Sequence, residues 1–155
     1  MVEVGDKVPN MSLIDTDLKP VNIAQATQGK AKAVIAFFPG AFTGVCTKEM
    51  CTFRDDMSKL GSLNANIIAI SVDSPFANKG FKEHNELNFT LLSDYKRDVV
   101  KAFGIELVNF AGMNGYTAAK RAVFIVDNNG TVKYKWVSDD PRVEPNYEEI
   151  KTALA

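Results

Sequence analysis

An α/β fold on a central mixed β-sheet flanked by helices is the class this chain predicts, on three observations. Short apolar runs alternate with helix-like segments along the 155 residues, two of the runs have the composition of fully buried strands, and an Asn-Gly hairpin follows them. The two buried runs are Ala31 to Phe38 (AKAVIAFF) and Ala65 to Val72 (ANIIAISV), rich in Ile, Val and Phe as expected of strands covered on both faces. Ala119 to Val126 reads as a third strand and Thr131 to Val137 as a fourth. Between them lies Asp127-Asn128-Asn129-Gly130, whose Asn-Gly supplies the φ > 0 positions of a hairpin turn, so this pair is antiparallel. Helical patterns cover Val45 to Leu60, Phe76 to Glu86, Tyr95 to Phe103 with Gly104 as C-terminal stop, and Asn146 to Leu154. Phe89 to Leu92 (FTLL) is an additional strand or an extended connection.

The order is therefore βαβα, then a hairpin and a terminal helix. A parallel β-α-β half joined to an antiparallel β-β-α half is the thioredoxin-like plan. One domain is expected over residues 1–155, a length that suits one core and is short for two. With 46% hydrophobic and 24% charged residues the chain has an ordinary soluble composition, and a net charge of −1 gives no reason to expect nucleic acid or an anionic membrane as partner. No apolar run approaches the roughly 20 residues of a membrane helix, and MVEVGDKVPN has no basic-then-apolar signal pattern, so the cytoplasm is the expected location. Two cysteines are too few for a disulfide scaffold, and with one histidine and no CxxC pair neither a metal nor a cofactor is expected.

The chemistry concentrates in FFPGAFTGVCTKEMCTFRD, which sets Cys46 just inside a helix after a Pro/Gly/Thr loop. A helix start stabilises negative charge through its unpaired N–H groups and dipole, and the thiolate is the reactive form of cysteine. On a helical wheel Cys46 shares a stripe with Met50, Phe53, Met57 and Leu60, the face that packs on the sheet. Cys51 lies about 140° further round, with Thr47, Lys48, Arg54, Asp55 and Ser58. Two Cα atoms five residues apart on a helix are roughly 8 to 9 Å distant, whereas a disulfide needs less than about 7 Å. If Cys46 and Cys51 are to join, at least the first turn must unwind. Cys51 is either part of such a cycle or incidental.

A thiolate also calls for a cation, and Arg54, Arg97, Arg121 and Arg142 are the candidates. Arg121 stands out because it opens the otherwise apolar strand KRAVFIVD, where a guanidinium must find an anion or stay hydrated. It faces either a thiolate across the sheet or a surface carboxylate at a wet strand end. Arg54, beside Asp55, belongs to a surface network. Glu49, one turn after Cys46, either orients the arginine or complements the helix N-terminus. His84 is set aside as a base because FKEHNE reads as a solvated helix face.

These residues resemble the peroxiredoxins. The signature Pro-x-x-x-Thr/Ser-x-x-Cys reads as Pro39, Thr43 and Cys46 in PGAFTGVC, and the family's distal arginine matches Arg121. VGDKVPNMSLIDTD is similar to the family's N-terminal segment, and SVDSPFANKGF followed by FTLLSD to its middle, so nearly the whole chain is covered. Cys46 and Cys51 resemble the C-x4-C pair of the PrxQ (bacterioferritin comigratory protein) group, whose first cysteine is peroxidatic and whose second is resolving. AFTGVC and NFAGMNGYTAAKR resemble instead the one-cysteine AhpE group.

The resemblance implies a thioredoxin-like fold with the family's N-terminal extension and a peroxidase acting on hydrogen peroxide and organic hydroperoxides. In that scheme the Cys46 thiolate attacks peroxide, Arg121 holds the thiolate and the peroxide oxygens, and Thr43 hydrogen-bonds both. The N–H groups of Val45 and Cys46 steady the departing oxygen, Glu49 borders the substrate, and Pro39 walls the sulfur from water. Cys51 resolves the sulfenic acid, and a thioredoxin- or glutaredoxin-like dithiol reduces the disulfide. Two alternatives remain at this point: a one-cysteine peroxidase resolved by an external thiol, or, in a different class, a non-turnover redox sensor or holdase chaperone. The family also implies a homodimer through the edge near the site, with Phe42, Phe76 and Phe110 as candidate contacts.

Overall fold

The computed structural model describes residues 1–29, 32–60 and 65–155. The strands are β1 (Ser12–Asp15), β2 (Pro20–Asn22), β3 (Lys32–Phe37), β4 (Ala65–Ser71), β5 (Thr90–Ser93), β6 (Glu106–Leu107), β7 (Ala118–Ala119), β8 (Arg121–Asp127) and β9 (Val132–Ser138). The helices are α1 (Ile23–Thr27), α2 (Gly44–Leu60), α3 (Pro75–His84), α4 (Asp98–Phe103) and α5 (Tyr147–Leu154). Seven strands form one sheet in the order β2-β1-β5-β4-β3-β8-β9, and β6 pairs with β7 apart from it. β3 is parallel to β4 and β4 to β5, whereas β8 is antiparallel to β3 and to β9. This is the mixed sheet of the thioredoxin-like plan, with FTLL resolved as the strand β5.

Strand periodicity decides what each face of the sheet meets. Val34, Ala36 and Phe38 point to one side, where Cys46, Met50 and Phe53 of α2, Phe81 of α3 and Ile150 and Leu154 of α5 cover them. Ile35 and Phe37 point to the other, into Val99, Val100 and Phe103 of α4. There Phe37, Phe103 and Phe124 stack on one another with ring centroids 4.9 to 5.9 Å apart. Burial on both faces explains why β3 and β4 confine their polar residues, Lys32, Asn66 and Ser71, to positions at or next to the strand ends. Met57 and Leu60, expected on the α2 stripe, and Ala31, expected at the strand start, lie outside the described side chains or residues.

Several boundaries differ from the sequence expectation for local reasons. The segment from Ala119 to Val126 is not one strand: Lys120 donates its N–H to Ile105 instead of continuing the ladder, so Ala119 belongs to β7 and the sheet strand begins at Arg121. The hairpin turn places only Gly130 at positive φ (80°), not Asn129, because the Asp127 carboxylate holds the N–H groups of Asn129 and Thr131 in a longer loop. α4 starts at Asp98 rather than Tyr95, since Arg97 sits at φ 64°. Its first N–H groups, of Val99 and Val100, are bonded by the buried Asp94 carboxylate. The stop at Gly104 is as expected, with φ 73° and the N–H of Ile105 closing on Val100. Ser74 caps α3 and Pro75 opens it, one residue before the expected start, and the helix ends at His84, two residues before the expected Glu86. The sequence pattern does not mark the strands β1 and β2, which are only four and three residues long, and Pro20 on the outermost strand lacks an N–H that a central strand would need.

Candidate active site at the start of α2

Cys46 sits in the first turn of α2 with no exposed surface. The Thr43 carbonyl accepts from Thr47 N–H at 2.9 Å, the first bond of the helix, so the N–H groups of Gly44, Val45 and Cys46 have no acceptor within it. Those three donors and the helix dipole favour negative charge at the end of α2 that carries Cys46. The sulfur is buried because its stripe, continued by Met50 and Phe53, is the one that packs on β3 and β8.

From β8, 75 residues later in the chain, Arg121 reaches the same point: its Nη2 donates to Cys46 Sγ at 3.1 Å. The guanidinium is 1% exposed, with Nε and Nη2 donating to the Pro141 carbonyl at 3.1 and 2.6 Å and Nη1 to Glu49 Oε1 at 3.0 Å. Of the two readings left open by the sequence for Arg121, the geometry selects the sulfur. The Glu49 carboxylate is buried against Nη1 of the same guanidinium. The other three arginines are engaged elsewhere: Arg54 with Asp55 and the Asn85 carbonyl, Arg97 with the carbonyls of Thr117 and Tyr95, and Arg142 with Asp140. Arg142 nonetheless lines the mouth of the Cys46 pocket.

Burial raises the Glu49 carboxyl from 4.5 to about 7, against the Arg121 charge and hydrogen bond, which lower it. Its Oε2 has no hydrogen-bond partner among the described residues, so the site holds an acid that is costly to ionise. The folded protein keeps this proton over a range in which the unfolded chain has lost it, so the contribution to stability fades as pH rises from 4.5 through about 7. Denaturant melts between about pH 5 and pH 8 should therefore show the wild type losing up to ~3 kcal/mol relative to Glu49→Gln. Two curves that stay parallel across that range would contradict the assignment.

The pocket over the sulfur is lined by Pro39, Thr43, Gly44, Val45, Cys46, Phe110, Arg121, Pro141 and Arg142. Pro39 is buried and brings no N–H. The Thr43 hydroxyl donates to the Gly40 carbonyl at 2.6 Å rather than to the sulfur. Phe110, which the sequence offered only as a surface contact, is half-buried and forms a wall of this pocket. Pro141 was not singled out by the sequence: its role rests on a carbonyl, which any residue carries. Cys51 is half-buried on the far face of α2, its Sγ 3.7 Å from Asn85 Oδ1 at the end of α3, and both cysteines are free thiols. His84 is exposed beside the Phe42 ring.

A buried cysteine at a helix start, under a guanidinium and on a thioredoxin-like sheet, is the arrangement of a thiol-based redox site. A sequence profile of the AhpC/TSA family matches residues 4–135. Over 150 residues the chain is 33% identical to peroxiredoxin Bcp of Escherichia coli (strain K12), covering 96% of this chain and 93% of that protein. It is 35% identical over 133 residues to the chloroplastic peroxiredoxin Q of Oryza sativa subsp. japonica, covering 86% of this chain and 58% of the rice protein. The chain thus spans less than two thirds of the rice relative's length. A crystal structure of peroxidoxin BcpB from Mycobacterium tuberculosis matches with a TM-score of 0.83 at 27% identity, over 99% of this chain and 95% of that chain. The chain belongs to the AhpC/TSA family, the peroxiredoxins. Among the described residues no helix is long and apolar enough to cross a membrane.

Proposed function

We propose that this chain is a thiol peroxidase for hydrogen peroxide and organic hydroperoxides, with Cys46 as peroxidatic and Cys51 as resolving cysteine. The observation that carries the reading is the 3.1 Å hydrogen bond from Arg121 to the Cys46 sulfur at the start of α2. A guanidinium donor on the sulfur complements negative charge there, and the thiolate is the form of cysteine that attacks peroxide. The thiolate displaces along the O–O axis: an S–O bond forms, the O–O bond breaks, and the departing oxide takes a proton to leave as water or alcohol. In this reading Arg121, bonded to the sulfur, and the N–H groups of Val45 and Cys46 stabilise the charge that develops on the oxygens. Glu49 holds Arg121 in place from behind. With its proton committed to Gly40, the Thr43 hydroxyl presents its lone pairs to the peroxide O–H. Pro39 and Phe110 keep the sulfur dry between turnovers.

Resolution couples the Cys46 sulfenic acid with the Cys51 thiol, forming the disulfide and releasing water, after which a thioredoxin- or glutaredoxin-like dithiol restores both thiols. The two sulfurs sit on different faces of α2, so the helix start must unwind for this step. Mass spectrometry after one equivalent of peroxide should show the wild type lighter by two hydrogens and Cys51→Ser heavier by one oxygen. Turnover of Cys51→Ser with a dithiol protein should fall by about tenfold or more. Undiminished turnover would favour the second reading, a one-cysteine peroxidase served by an external thiol, which the separation of the two sulfurs across the folded helix supports. A cytoplasmic location, where such reductants reside, and a homodimer through the exposed rings of Phe42 and Phe76 complete the proposal.

A further inference from the structure

A buried polar cluster lies beside the site and takes no part in the chemistry above. Ser71, Asn78 and Ser93 are each at most 1% exposed. Ser71 Oγ donates to Asn78 Oδ1 at 2.8 Å, and Asn78 Nδ2 donates to the Leu92 carbonyl at 3.3 Å. Both remaining contacts end on one residue: Ser93 Oγ donates to the Asp73 carbonyl, and Asp73 N–H donates to Ser71 Oγ at 3.2 Å. Buried polar groups are tolerated only when paired, and a satisfied network holds its members in one arrangement. This one fixes Asp73, and the Asp73 side chain is turned toward the site, where Oδ2 accepts the Ala41 N–H at 2.8 Å.

Ala41 lies in the middle of the loop that carries Pro39 and Thr43. The next residue, Phe42, is at φ 64°, a left-handed conformation that a bulky side chain adopts only when its surroundings impose it. Two contacts impose it here. The Phe42 ring packs on Phe81 at 5.3 Å and lies over Gly80. The Ala41 N–H is held by Asp73. Without the second contact the backbone ahead of Phe42 is free to relax, carrying Pro39, the Gly40 carbonyl and the Thr43 hydroxyl with it.

We propose that Asp73 is a positioning residue for the peroxide reaction: by gripping Ala41 N–H from the Ser71–Asn78–Ser93 cluster, it holds the Pro39–Thr43 loop in the geometry that receives peroxide. It touches neither the Cys46 sulfur nor Arg121, so it acts on how peroxide is seated and not on whether the sulfur is a thiolate. The inference rests on the reading of Cys46 as the peroxidatic residue.

The test compares two reactions of Cys46 in the reduced protein, oxidation by hydrogen peroxide in a stopped-flow instrument and alkylation by iodoacetamide, which needs the thiolate but no peroxide seat. Asp73→Ala should oxidise at least about tenfold more slowly while alkylation of Cys46 is not slowed. Asp73→Asn, which keeps an acceptor oxygen for Ala41 N–H, should recover most of the oxidation rate. Asp73→Glu, which keeps the charge and shifts the acceptor by one methylene, should also be slowed, and it serves where the alanine variant does not fold. Equal slowing of oxidation and alkylation would overturn the proposal, as would an asparagine variant no better than the alanine one or a glutamate variant at the wild-type rate. A wild-type protein that does not consume peroxide at all would overturn the peroxidase reading itself, a result separate from any effect of Asp73.

Discussion

Arg121→Met is expected to slow oxidation of Cys46 by peroxide about 10²- to 10³-fold, the scale of removing one donor aimed at charge that develops in a transition state. The variant loses the hydrogen bond to the sulfur and the fixed positive charge beside it. It also strips the buried Glu49 carboxylate of its partner. Leaving a buried charge unpaired commonly costs about 3–5 kcal/mol. Here the acid already titrates near 7, so in the variant it takes a proton instead, and the loss of stability should be small in mild acid and grow above neutral pH. The double variant Arg121→Met/Glu49→Gln separates the two effects. It should regain stability at alkaline pH and none of the rate. A double variant that recovers peroxide oxidation would show that Arg121 served only to neutralise Glu49.

Cys46→Ser should abolish peroxide reduction, with a loss of at least about 10⁴-fold, because a serine hydroxyl in this setting is not ionised and oxygen is a poor nucleophile toward peroxide. The side chains are nearly isosteric and Cys46 is wholly enclosed, so the fold should persist. Cys51 offers no substitute: it lies outside the pocket, against Asn85 on the opposite side of α2. Peroxide consumption under excess dithiol, compared with Cys46→Ser/Cys51→Ser, measures this directly. A Cys46→Ser rate well above that of the double variant would assign peroxide chemistry to Cys51.

Legibility from the sequence followed the range of the interactions involved. The sulfur at the helix start, the buried stripe of Cys46, Met50 and Phe53, and the polar face of Cys51 follow from a 3.6-residue period and need no tertiary structure. The strands β3 and β4 were equally plain, because burial on both faces leaves a continuous apolar run. Arg121 was legible as an anomaly, a cation in an apolar strand, while its target was one of two readings until the antiparallel register of β8 on β3 carried it over Cys46. The break at Lys120 was not legible, since AAKRAVFIV is strand-like throughout and the interruption comes from a carbonyl on another segment.

What the sequence by itself determined is the chemistry available: a thiol at a helix N-terminus, a proline and a threonine in the loop before it, and a second thiol on a different face. These are local properties, set by spacing and backbone geometry over a few residues. Only the tertiary structure decided which groups meet that thiol. Arg121 comes from β8, Phe110 from a short 3-10 turn, Pro141 from a loop, and Asp73 from the turn after β4, and each acts through a hydrogen bond or contact that exists only once the sheet is assembled. Main-chain donors and acceptors, such as Ala41 N–H and Pro141 carbonyl, are present at nearly every position, so no residue code distinguishes the ones the fold puts to use.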